Sequence, residues 1–199
     1  MTTPPVSWTR PARLVALLWI VSLCRLGAEP AAGSLIEAVR AGDGGRVREL
    51  LRERGAAGER DARGNTALHW AALAKEERWV ERLLSAGADP RATNQAGATP
   101  LHYGTGSERI VGLLLGAGAD PSVRAVSGST PLHTAAARPG GYGSVRLLVA
   151  AGADVNAIRS VFPGGVNVPS SDPGLFIIGP LALAIYYGDP RAARYLLER

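Results

Sequence analysis

The sequence predicts an all-α protein assembled from repeated short-helix units. One four-residue string occurs three times: Thr66-Ala67-Leu68-His69, Thr99-Pro100-Leu101-His102 and Thr130-Pro131-Leu132-His133. A second string follows each copy in phase: Ala86-Gly87-Ala88-Asp89, Ala117-Gly118-Ala119-Asp120 and Ala151-Gly152-Ala153-Asp154. The third observation is composition. Among 199 residues, 25 glycines, 14 prolines and few aromatics suit short helices separated by tight turns, and 46% hydrophobic with 20% charged residues is the balance of a globular chain.

Taken in chain order, residues 1–28 read as a targeting segment. Arg10 and Arg13 precede the uncharged run Leu14 to Leu23, which has the length of a secretory apolar core and falls short of the ~18–20 residues that span a bilayer. Leu26-Gly27-Ala28 offers a cleavage site, with the bulky Leu26 departing from the usual pattern. Export to a periplasmic or extracellular space is the expectation. An uncleaved membrane anchor, a lipid-bearing Cys24 (disfavoured by the large Leu23 before it) and a buried helix are the alternatives.

Each letter of the repeated strings has a physical role. Thr suits the cap of a helix N-terminus, Pro at the next position gives up an N–H that has no helical partner, and Leu enters the core. Leu83-Leu84, Leu113-Leu114-Leu115 and Leu147-Leu148 form the apolar stripe of a second helix, and the following Gly supplies the left-handed conformation that ends it. Asp61-Ala62-Arg63-Gly64 and Asn94-Gln95-Ala96-Gly97 are turn-forming strings ahead of the Thr. Two weaker units flank these three. Ser34 to Leu51 reads as a first hairpin, and Gly179-Pro180-Leu181 starts a fifth unit whose second helix is opened by Asp189-Pro190. The units run at about 34–64, 65–97, 98–128, 129–178 and 179–199, the last incomplete.

The phase and the T-P-L-H string resemble the ankyrin-repeat family over about residues 34–199. The resemblance implies a solenoid of stacked helix–turn–helix units with projecting hairpin fingers, binding another protein along its concave side. It also implies that His69, His102 and His133, the chain's three histidines, make structural hydrogen bonds between neighbouring turns. A metal or catalytic role for them is the weaker reading, because equivalent positions in adjacent units lie too far apart to share one ion. Contacts with a partner are expected from Arg63, Asn65, Gln95, Val126, Ser127 and Ser129 at or beside finger tips. Trp70, Tyr103 and Thr134, each following the motif His, are further candidates, with the two aromatics the better anchors.

Other functions find little support. The net charge of +5 resides largely at the N-terminus, since Arg10, Arg13 and Arg25 precede the first acidic residue, Glu29. Beyond residue 28 the balance is near neutral, so no electrostatic footprint for nucleic acid remains. A single cysteine forms no internal disulfide and no cysteine-cluster metal site. No nucleophile elbow, zincin motif or phosphate-binding loop is present, and neither a cofactor nor a small-molecule substrate is expected. Gly104 and Gly106 fall where the third unit is two residues short, which predicts a shortened first helix rather than a phosphate cradle.

One departure from the repeat stands out. Roughly 15 extra residues separate the third Ala-Gly-Ala-Asp string from Gly179, lengthening one finger between about Arg159 and Ile178. The stretch carries Val161, Phe162, Val166, Val168, Leu175, Phe176, Ile177 and Ile178, interrupted by three prolines. Either it packs back on the stack or Phe162 and Phe176 offer an apolar contact to a partner. The leading expectation is a non-enzymatic interaction module that meets a membrane only through an uncleaved N-terminus. The alternative is a segment of a longer scaffold.

Overall fold

A computed structural model describes residues 33–52, 56–161 and 176–199. The targeting segment, Phe162 and most of the fourth finger therefore lie outside the described residues. Among the described residues ten α-helices pair into five hairpins: α1 (Leu35–Ala41) with α2 (Gly44–Leu50), α3 (Ala67–Leu73) with α4 (Glu77–Ser85), α5 (Pro100–Gly104) with α6 (Glu108–Gly116), α7 (Pro131–Ala136) with α8 (Tyr142–Ala150), and α9 (Pro180–Tyr186) with α10 (Pro190–Leu197). First helices stack in the order α1–α3–α5–α7–α9, and second helices in the order α4–α6–α8–α10.

A helix of five to nine residues is marginal alone, so these persist through capping and packing. Ser34, Asp43, Ser107 and Asp189 cap helix N-termini by accepting first-turn N–H groups, Asp43 from both Gly45 and Arg46 at 3.0 Å. In the three motif helices, Thr and the His three residues on cap each other reciprocally. The second helices end as the sequence predicts. Gly87, Gly118 and Gly152 have φ of 85°, 91° and 91°, where a Cβ is strained.

The core is one continuous layer between the two helix rows. Leu68, Leu101 and Leu132 from the motif pack with Leu83, Leu114 and Leu148 from the second helices, all fully buried. α5 ends at Gly104, where a Cβ would stand 2.7 Å from Ile110 Cγ2, so α6 packs directly on the glycine backbone.

Fingers are held to their neighbours by main-chain bonds, Gln95 N–H to Arg63 O at 3.0 Å and Val126 N–H to Ala96 O at 2.8 Å. Arginines at the finger bases add further ties, from Arg60 to Thr93 O (2.6 Å) and from Arg124 to Ile158 O (2.7 Å). The base of the long fourth finger is an antiparallel ladder, β1 (Arg159–Val161) with β2 (Phe176–Ile178), in the register Arg159 to Ile178. Among the described residues this pair is the fold's departure from all-α, at the root of the expected insertion.

Candidate functional site

The histidines explain how neighbouring units lock. The Thr66 N–H donates to His69 Nδ1 at 3.1 Å, with the Thr66 hydroxyl 2.9 Å from the same nitrogen. A backbone N–H can only donate, so Nδ1 is unprotonated and the neutral ring carries its proton on Nε2. That proton is donated to Ala98 O of the next unit at 3.0 Å. His102 repeats the arrangement with Thr99 and Ser129 O, and His133 with Thr130 and Ile178 O. Burial holds all three below the usual imidazole range, partly offset by the carbonyl each ring meets, and His133 falls to about 4. Both ring nitrogens of each are thereby committed within the stack.

An open groove of ≈ 460 Å³ lies between the second and third units. It is lined by Arg63, Asn65, Trp70, Gln95 and Tyr103, five of the expected contact residues, together with Leu73, Asn94, Ala96 and an edge of His69. Helices α3 and α5 supply Trp70 and Tyr103, one turn past each motif Thr; α3 adds His69 and Leu73, and the two adjacent fingers supply the rest. Leu73, at the end of α3, leaves 44% of its surface to solvent.

The two aromatic walls are fixed by equivalent residues of successive fingers. The Trp70 indole N–H donates to Asp61 Oδ2 at 3.0 Å, and the same carboxylate accepts from the Arg63 N–H, the Asn65 N–H and Asn65 Nδ2 at 2.8–3.1 Å. Burial acts to raise the Asp61 pKa, but these hydrogen bonds together outweigh it and hold the group below its ordinary value. One unit on, Asn94 Oδ1 accepts from the Ala96 and Ala98 N–H groups, which fixes the amide orientation. Its Nδ2 then donates to Asn65 Oδ1 at 2.8 Å and to the Tyr103 hydroxyl oxygen at 3.0 Å. Asn94 was legible only as a turn former. The signal that finds it is that Asp61 and Asn94 each stand nine residues before the aromatic they hold.

The remaining contact candidates lie elsewhere. Val126 and Ser127 are exposed on the third finger. Ser129 is buried, its hydroxyl accepting from Arg159 at 3.0 Å. Thr134 is half-buried with its hydroxyl donated to Pro131 O at 2.8 Å. Phe176 contributes its backbone to β2. Among the described residues, no group of three acidic, histidine or cysteine side chains is placed to hold a metal ion, and no helix is long and apolar enough to cross a membrane.

Family models for ankyrin repeats match residues 35–125 as three copies and residues 127–160 as a further repeat, well over half the chain. The chain belongs to the ankyrin-repeat family. Ankyrin repeats are generally protein–protein interaction modules, and the family is typically non-enzymatic. The chain is also 51% identical over 41 residues to proteins named mitochondrial disaggregase from Bos taurus and from Homo sapiens. Each match covers 21% of this chain and 6% of the relative's length, so it speaks to shared repeat sequence alone.

Proposed function

We propose that this ankyrin array is a non-enzymatic module that binds another protein through the face formed by its first helices and fingers, with the groove between the second and third units as the principal contact. The observation that carries this reading is the pair of aromatic walls, Trp70 and Tyr103, held in fixed orientation by Asp61 and Asn94 around a solvent-open slot. Aromatic side chains whose rotamers are already set lose little entropy on binding and dominate interface energetics. The lengthened fourth finger is a second contact, and residues 1–28 direct the chain to an exported or membrane-tethered location.

A partner captured by the full chain should be lost on replacing Trp70 and Tyr103 together by Ala. Deleting residues 163–174 should weaken capture without abolishing it. Full capture by the double variant, with its helicity intact, would move the contact off the groove. The second reading, one segment of a longer scaffold, is favoured by the exposure of Ile185, Tyr186, Tyr187 and Leu197 on the fifth unit, each at least 61% accessible. The mass of the protein in its native source separates the two.

A further inference from the structure

We infer that the groove between the second and third units accepts an acidic, extended partner segment that inserts one aliphatic or aromatic side chain between Trp70 and Tyr103. The inference rests on the groove being the binding surface. It adds the chemistry of what binds there.

The polar groups around the slot are biased toward donors. No carboxylate lines it. Asp61 stands beside it with its oxygens already taking four hydrogen bonds, so its charge is spread over the Trp70 indole, the Asn65 side chain and two backbone amides. The Arg63 guanidinium is exposed at the rim, and among the described residues no acidic group lies within ion-pair distance of it. Arg40 of the first unit lies 4.7 Å from the centre of the Trp70 ring and does not line the groove, so Arg63 is the cation that an incoming segment meets there.

Tyr103 adds a directional signal. Asn94 Nδ2 donates to its oxygen, and the Asn94 orientation is fixed by two backbone amides. The phenolic proton therefore points away from Asn94 and is free to donate to an incoming acceptor. Gln95 spends its Nε2 on Ala62 O, leaving its carbonyl oxygen as an acceptor for a main-chain N–H. A rim cation, a free hydroxyl proton and one amide acceptor, with no carboxylate in the lining, fit an extended backbone flanked by carboxylates. The apolar requirement comes from Leu73 and the two rings, whose surface between the polar groups is covered only by an apolar side chain.

The charge preference and the location of binding separate in one titration. The full chain, labelled for NMR, is titrated with three synthetic nine-residue peptides, each with a central Leu and flanked by Glu, Gln or Lys. The Glu peptide should shift the Trp70 indole and the Asn94–Gly97 amides saturably, binding roughly ten-fold more tightly than the Gln peptide, with the Lys peptide weakest. Arg63→Glu should invert the order of the Glu and Lys peptides. Tyr103→Phe should weaken the Glu peptide while leaving the melting temperature in place, a check that the fold is intact. Equal or better binding of the Lys peptide at these same resonances overturns the acidic assignment and leaves the groove standing. Shifts confined to resonances outside the groove, or no saturable shift with any peptide, overturn both.

Discussion

At the residue scale, the three motif histidines do two jobs that no other side chain does together. Nδ1 takes the N-cap N–H of its own helix, and Nε2–H reaches a carbonyl of the next unit. Replacing His102 by Ala leaves the Thr99 N–H without a partner, leaves Ser129 O with the Ala125 N–H alone, and opens a void. The expected loss is about 2–4 kcal/mol in urea unfolding, and a loss under ~0.5 kcal/mol would contradict the interlock. The same geometry sets a pH dependence. Each ring is neutral when folded and its pKa lies below the ordinary value of about 6.5, so the unfolded chain takes up protons first as pH falls. Stability is full above pH ~6.5 and declines as pH drops toward about 4, the value of His133. Thermal midpoints measured from pH 7.5 to 4.5 should fall by several degrees. In a variant with His133→Gln, part of that fall should vanish.

At the element scale, helix ends were the most legible part of the chain. Ala-Gly-Ala-Asp placed Gly87, Gly118 and Gly152 at the left-handed ends of α4, α6 and α8 because only glycine adopts that conformation freely, and Asp189-Pro190 opens α10 as expected. Gly118→Val should cost more than about 1 kcal/mol, whereas Gly116→Ala, two residues earlier at ordinary φ with open space at its Cβ, should be neutral or slightly stabilising. Equal melting of the two variants would contradict the assigned ends. The groove was half legible. Trp70, Tyr103, Arg63, Asn65 and Gln95 follow from their place beside the motif. Asn94 and Leu73 do not, because their roles depend on contacts between units, such as Asn94 with Asn65, 29 residues apart. The β1–β2 ladder was hidden for a similar reason, since its pairing joins residues on either side of the insertion.

At the scale of the whole molecule, each unit buries its core against its neighbours, so stability is shared along the stack. Leu114→Ala at the centre removes a fully buried side chain between adjoining units and should cost about 2–5 kcal/mol. Leu196→Ala in α10 should instead fray the fifth unit. Hydrogen exchange should then quicken in α9 and α10 while α5 and α6 keep their protection. Uniform quickening along the chain would mean that the array unfolds as one block. Cross-unit ion pairs such as Arg146 with Glu108 at 2.9 Å lie exposed on the second-helix face and contribute about 0–1 kcal/mol each, so they are not what holds the stack.

The proposed function has the first helices and fingers face a partner, and site-specific photocrosslinking tests that most directly. A photoreactive residue is placed at Gln95 in the groove wall, and separately at Arg78 on the exposed face of α4, in the full chain within its native source. Adducts with one protein from position 95 and none from position 78 are the predicted result. Adducts from position 78 alone would contradict it and place recognition on the opposite face.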